Sequence, residues 1–218
     1  MMDTTVPCTK ADATRATVGR RRGRPPASDS AVTRERILQA SRKVFAESGY
    51  DAATFHAIAT EIGLTRPAIN NYFPSKPALY AEVAGRAADA VAEAVREASA
   101  EPTLTGQLIE FLRLIERRDA AESALAGFLV RSAIEAARPP HAGGQTKVVE
   151  HVERFVADAV AGAIRRQEIS PQADAEAIGD ALTGLLWGSA FQISWGLGPG
   201  TTRTERMLSH LELLLQCD

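Results

Sequence analysis

The sequence predicts an all-α protein: an N-terminal helix-turn-helix domain of three helices, followed by a C-terminal helical domain, about nine helices in total. Three observations carry this. From Thr33 onward apolar residues recur three and four positions apart, the period of one face of a helix. No stretch alternates apolar and polar residues with the period of two that a sheet needs. The gaps between stripes hold helix start and stop residues: hydroxyls before prolines at the starts, glycines at the ends.

Residues 1 to 30 lack apolar periodicity and are expected to form a disordered basic arm. Within them GRRRGRPP, Gly19 to Pro26, sets four arginines around a glycine before two prolines, a composition suited to a narrow minor groove, with Arg22 and Arg24 as candidate contacts. A solvated basic tail is the alternative. In the first helix Ile37, Ser41, Val44, Phe45 and Ser48 share a face, and Gly49 closes it. A second, short helix starts after Thr54 as N-cap and runs through Ile58, Ala59 and Ile62 to Gly63. A third begins at Thr65 and must end by Phe73, because the residue before Pro74 is pushed out of the α region. A fourth opens at Ser75 and runs through Leu79, Val83, Ala90 and Ala94 to about Ser99.

The rest reads as further helices. Leu104, Leu108, Phe111, Leu112 and Ile115 form one stripe; Leu125, Phe128, Leu129 and Ser132 form another, ended by Pro139-Pro140. Val148, Val152, Phe155, Val156, Ala159 and Ala163 form a third. Asp174 to Trp195 is nearly apolar all round, with Gly184 and Gly188 one turn apart and Trp187, Phe191 and Trp195 at spacing four. A helix of that kind needs cover on every side, and a chain this size hardly supplies it, so a partner subunit is expected. Met207, Leu208, Leu211, Leu214 and Leu215 complete the chain.

Charge is divided unequally. Residues 1 to 80 hold 12 Lys or Arg against 7 Asp or Glu, a net of +5, so the remainder of the chain, whose total is −2, carries −7. The basic part can meet a polyanion and the acidic part cannot. No apolar run approaches the ~18 to 20 residues that span a bilayer, and the expected location is the cytoplasm. Cys8 and Cys217 stand near opposite ends, and the 4 His are scattered. With no phosphate-cradling Gly loop and no nucleophile beside a base, neither catalysis, a metal nor a cofactor is expected.

The two short helices joined at Gly63-Leu64 have the spacing of a helix-turn-helix. The third presents Thr65, Arg66, Ala68, Asn70, Asn71 and Tyr72. Asn is a poor helix former, so adjacent copies suggest an external partner. Asn pairs bidentately with adenine and Arg with guanine, while Ala or a Thr methyl touches the thymine methyl, which is the chemistry of a major-groove edge. Tyr72 and Lys76 are placed to donate to phosphate. Arg66 and Lys76 each put a cation at the positive end of a helix dipole, in the repeated triplets Thr65-Arg66-Pro67 and Ser75-Lys76-Pro77; a phosphate facing both starts would account for that placement.

The run FAESGYDAATFHAIATEIGLTRPAINNYFPSKPALY resembles the DNA-binding domain of the TetR family of bacterial transcriptional regulators, over about residues 33 to 83. Thr54 matches the Thr that opens the second helix, Gly63-Leu64-Thr65 the turn, Tyr72-Phe73 the His/Tyr-Phe pair, and Ser75-Lys76 the Ser-Lys before Leu79. Asn70 departs from the usual Tyr, and Pro67 from a small residue such as Gly. The resemblance implies a basic arm over 1–30, a DNA-binding domain over 31–78 and an effector-binding and dimerisation domain over 79–218. It implies a dimer on a palindromic double-stranded DNA operator, released by a small, largely hydrophobic effector. It places an effector pocket among helices five to eight, with Phe111, Phe128, Phe155, Trp187 and Phe191 as candidates, and a two-fold interface on the last two helices, with Gly184, Gly188, Leu208, Leu211 and Leu215. Ordinary core or dimer packing competes for the aromatic residues, alone or together with a pocket. A constitutive or architectural DNA-binding protein, its second domain serving only dimerisation, is the alternative function.

Overall fold

The computed structural model describes residues 27–122, 124–136 and 146–196, and every regular element among them is a helix. In order these are α1 (Ala27–Ala52), α2 (Phe55–Glu61), α3 (Arg66–Asn70), α4 (Lys76–Ala98), α5 (Leu104–Glu122), α6 (Leu125–Ala136), α7 (Thr146–Arg165) and α8 (Ala175–Ser194). Arg22 and Arg24 of the arm, and the expected ninth helix with Leu208, Leu211 and Leu215, lie outside the described residues.

α1 starts at Ala27, so the last residues assigned to the arm are helical. The sequence after Pro26 allows this, since alanines and serines do not oppose a helix. Ile37, Ser41, Val44 and Phe45 are buried as the stripe requires, but Ser48 is exposed. The departure begins beside Gly49, whose φ of 77° and ψ of 171° break the helical path before a last turn to Ala52. Only glycine adopts such a backbone without strain.

The stripes of α5, α6 and α7 all face inward; Leu108, Leu125, Phe128, Val148 and Ala163 are among the residues at 1% exposure or less. α4 buries Leu79, Val83, Ala87, Val91 and Ala94 at spacings of three and four, and is capped by the Ser75 hydroxyl, which accepts from the Ala78 N–H at 3.3 Å. At the junction of α1, α4 and α6, the Tyr80 ring meets Phe45 and Tyr50 edge-on at 4.9 Å each and lies 5.7 Å from Phe128. Aromatic pairs in such geometry contribute ~0.5–1.5 kcal/mol beyond their burial. The N-terminal helices and the bundle therefore share one continuous core.

α8 is capped by Asp174, whose carboxylate accepts from the N–H groups of Glu176 and Ala177. It buries Leu182, Leu186, Ser189 and Ala190 on one side only. The opposite face, through Ala177, Ala181, Gly184, Gly188, Phe191 and Trp195, is open.

Candidate nucleic-acid interface

Thr54 is extended at φ −129° and accepts the Ala57 N–H on its hydroxyl at 3.1 Å, which fixes the start of α2. The helix closes at Gly63, φ 68°, where the Gly63 N–H donates to the Thr60 carbonyl and the Leu64 N–H to the Ala59 carbonyl at 2.8 Å. Ile58, Ala59, Ile69 and Phe73 are buried beneath the turn. This is the predicted helix-turn-helix, and its apolar residues leave the polar ones outside.

α1 braces the turn from behind. Arg36 Nη2 donates to the Ile62 carbonyl at 3.1 Å, and Lys43 pairs with Glu61 at 2.5 Å. Arg34 stacks its guanidinium 4.7 Å from the centre of the Phe73 ring and forms an ion pair with Glu82 of α4. Glu82 is held below the usual carboxylate range first by that hydrogen bond, against the opposing effect of burial, while Arg34 is raised by the same bond. Arg86 joins the group through Glu35 and, at 3.6 Å, through Glu82.

On the outer face Thr65, Arg66, Asn70 and Asn71 are exposed, and Ala68 and Tyr72 are half-buried. Thr65 is extended but its hydroxyl makes no capping bond; its carbonyl instead accepts from the Ala68 N–H at 2.9 Å. The hydroxyl, the Arg66 guanidinium and both Asn amides engage no hydrogen bond or ion pair among the described residues.

Lys76 behaves differently. Its ammonium donates to the carbonyls of Tyr50, Asp51 and Ala53 at 2.8, 3.1 and 3.1 Å, and lies 4.5 Å from the centre of the Tyr50 ring. All three protons are used, so its placement at a helix start is explained by the carbonyls at the end of α1 rather than by a phosphate. The two triplets that look alike in sequence therefore diverge: Ser75-Lys76 caps two helices, and Thr65-Arg66 is left free.

Among the described residues the aromatic candidates for an effector pocket fall into separate groups. Phe111 and Phe155 pair at 5.1 Å in the core, Phe128 packs under Tyr80, Trp187 is half-buried, and Phe191 stacks on Trp195 at 5.4 Å on the surface. Phe155 edges a cleft of about 330 Å³ between α4, α5 and α7; Phe191 and Trp195 edge another of about 670 Å³ between α1, α6 and α8. Sequence periodicity marks a residue as apolar but does not say which wall it belongs to. Among the described residues no group of three or more His, Cys, Asp or Glu could hold a metal ion, and no helix is long and apolar enough to cross a membrane.

Residues 37–83 match the family model of bacterial regulatory proteins, tetR family. The transcriptional repressor AcnR of Corynebacterium diphtheriae is 34% identical over 70 residues, which is 32% of this chain and 37% of that repressor. The repressor Rv1474c of Mycobacterium tuberculosis is 44% identical over 50 residues, 23% of this chain and 27% of the relative. The matches thus span about a third of the length of these curated relatives. Across most of the chain the fold resembles that of the ketosteroid transcriptional regulator KstR2 of M. tuberculosis, with a TM-score of 0.70, 16% identity, and 85% of this chain and 96% of that one covered. It also resembles FadR of Bacillus subtilis, solved in complex with stearoyl-CoA, with a TM-score of 0.60, 17% identity, and 83% and 97% covered.

Proposed function

We propose, from the premise that this chain belongs through its residues 37–83 to the TetR family of bacterial regulatory proteins, that it is a sequence-specific DNA-binding repressor acting as a homodimer. The observation that carries the reading is the outer face of α3. Arg66, Asn70 and Asn71 stand exposed, their side-chain polar groups unengaged among the described residues, on a turn braced by Arg36 and Lys43. Unused amides and a guanidinium on a rigid support are what base-edge recognition requires. Thr65 and Tyr72 flank them and reach the phosphates on either side, and Thr54 does so from the start of α2.

Two copies on a palindrome set their reading helices about 34–36 Å apart, or a multiple of that. The open face of α8, with Gly184 and Gly188, is the proposed meeting surface. The effector is proposed to be small and largely hydrophobic, because α5 to α8 enclose an interior of Phe, Leu and Val side chains. The reading involves no catalysis. It divides the chain into a DNA-binding unit up to about residue 78 and an effector and dimer unit beyond it.

The test is to select bound fragments from genomic DNA, footprint one, and titrate it with wild type and variants. Arg66→Ala and Asn71→Ala are each expected to lose ~1–3 kcal/mol of discrimination at particular bases, and binding should weaken steeply with salt. Unchanged base preference in both variants, with binding abolished by deleting residues 1–26, would support an architectural binder instead.

A further inference from the structure

Arg131 and Glu135 interrupt the apolar pattern of α6, and from sequence a solvated face is the simplest reading of both. The structure turns them instead onto the end of α1. Arg131 Nη2 donates to the Ser48 carbonyl at 3.3 Å and its Nε to Glu135 Oε1 at 3.2 Å; that same oxygen accepts the Tyr50 N–H at 3.0 Å. Between them lies Gly49, where an added Cβ would fall 2.4 Å from Arg131 Nη2 and 2.6 Å from Glu135 Oε1. Backbone groups beside Gly49 and at the end of α1 are met by side chains from two other elements: Lys76 from α4 takes three carbonyls, and Arg131 with Glu135 from α6 takes a carbonyl and an N–H.

Only Ala53 and Thr54 separate the last turn of α1 from α2, so the direction in which the chain leaves residues 49–52 sets where α2 and α3 point. We propose that Arg131 and Glu135 are positioning residues for DNA binding: their grip on the kink of α1 fixes the reading helix relative to the second domain. The proposal rests on the DNA-binding reading of α3. It adds a route between the domains through α6 and the end of α1, beside the covalent one through α4.

The experiment uses the full chain as Arg131→Ala, Glu135→Gln and Arg131→Lys, with three readouts: thermal midpoint, amide hydrogen exchange, and affinity for a labelled genomic fragment selected by the wild type. Arg131→Ala and Glu135→Gln should keep a cooperative transition. Amides of residues 50–73 should exchange about tenfold faster while α7 stays protected, and fragment affinity should fall about tenfold, as expected for a lost hydrogen-bonded charge. Arg131→Lys should recover part of the affinity, since one ammonium can serve either acceptor but lacks the fork that reaches both. Affinity that stays at the wild-type level in Arg131→Ala and Glu135→Gln overturns the proposal, as does faster exchange confined to residues 48–52. If Arg131→Ala does not fold, Glu135→Gln decides, because Gln keeps an acceptor for Tyr50. If the wild type selects no fragment, the DNA reading itself fails, and the exchange pattern alone judges whether α6 holds α3.

Discussion

A lysine in the first turn of a helix faces the positive end of the dipole, at a cost of about 0.3–1 kcal/mol when exposed. Lys76 offsets this with three carbonyl acceptors at and just past the end of α1, one of them the carbonyl of Tyr50, whose ring lies under its ammonium. Lys76→Ala should therefore reduce unfolding free energy by about 1.5–3 kcal/mol, the range for hydrogen bonds to a charged group, as read by urea denaturation. Thr65→Ala should leave stability nearly unchanged, since its hydroxyl caps nothing, and should weaken DNA binding. A stable Lys76→Ala protein that had lost only DNA affinity would return Lys76 to the phosphate role its sequence context suggests. That context could not separate the two triplets: both present hydroxyl, cation and proline, and the difference lies in which one has the end of another helix within reach, a fact of tertiary structure.

At the scale of elements, α1 and α4 are joined across their solvent side by Arg34, Glu82, Arg86 and Glu35. Glu82 titrates below its ordinary value of 4.5 in the folded chain, chiefly through its hydrogen bond with Arg34, and Arg34 stays charged throughout. A carboxylate with a lowered folded pKa adds stability that is fully present above its unfolded value and is lost as pH falls through the folded value. Because Arg34 and Glu82 side chains are 39% and 29% exposed, screening keeps the contribution near the ~0.2–1 kcal/mol of surface pairs. Wild type should exceed Glu82→Gln in stability by that amount at neutral pH, and the gap should narrow as pH falls below the ordinary value of 4.5, close below the lowered folded value, and shrink in high salt. A gap that widened on acidification would mean that the pair is not what joins the helices. The helices themselves were legible beforehand, since the stripes of α5, α6 and α7 follow from a period that packing then buries. The start of α1 at Ala27 was less so, because a helix that begins with small polar residues shows no apolar period.

For the whole molecule, the outer face of α8 is an apolar surface left uncovered among the described residues. Sequence showed a helix apolar nearly all round; the fold buries Leu182, Leu186 and Ala190 and leaves Gly184 and Gly188 exposed above the stacked pair of Phe191 and Trp195. Which of its apolar residues stay uncovered is set by tertiary packing, and a period that runs nearly all round the helix does not single them out. The two glycines nevertheless permit a decisive contrast. A Cβ at Gly184 or Gly188 would meet nothing within 4 Å among the described residues. In an isolated monomer, Gly184→Ala and Gly188→Ala should each stabilise α8 by up to about 1 kcal/mol, the difference in helix propensity between Gly and Ala. If the face closes against a second copy, the added methyls separate the two backbones, and the double substitution should raise the dimer dissociation constant while the monomer melts higher. Sedimentation over a range of concentrations reads the first effect, and thermal unfolding at high dilution reads the second. Association that is unchanged or tighter in the double variant would place the two-fold contact elsewhere on the molecule.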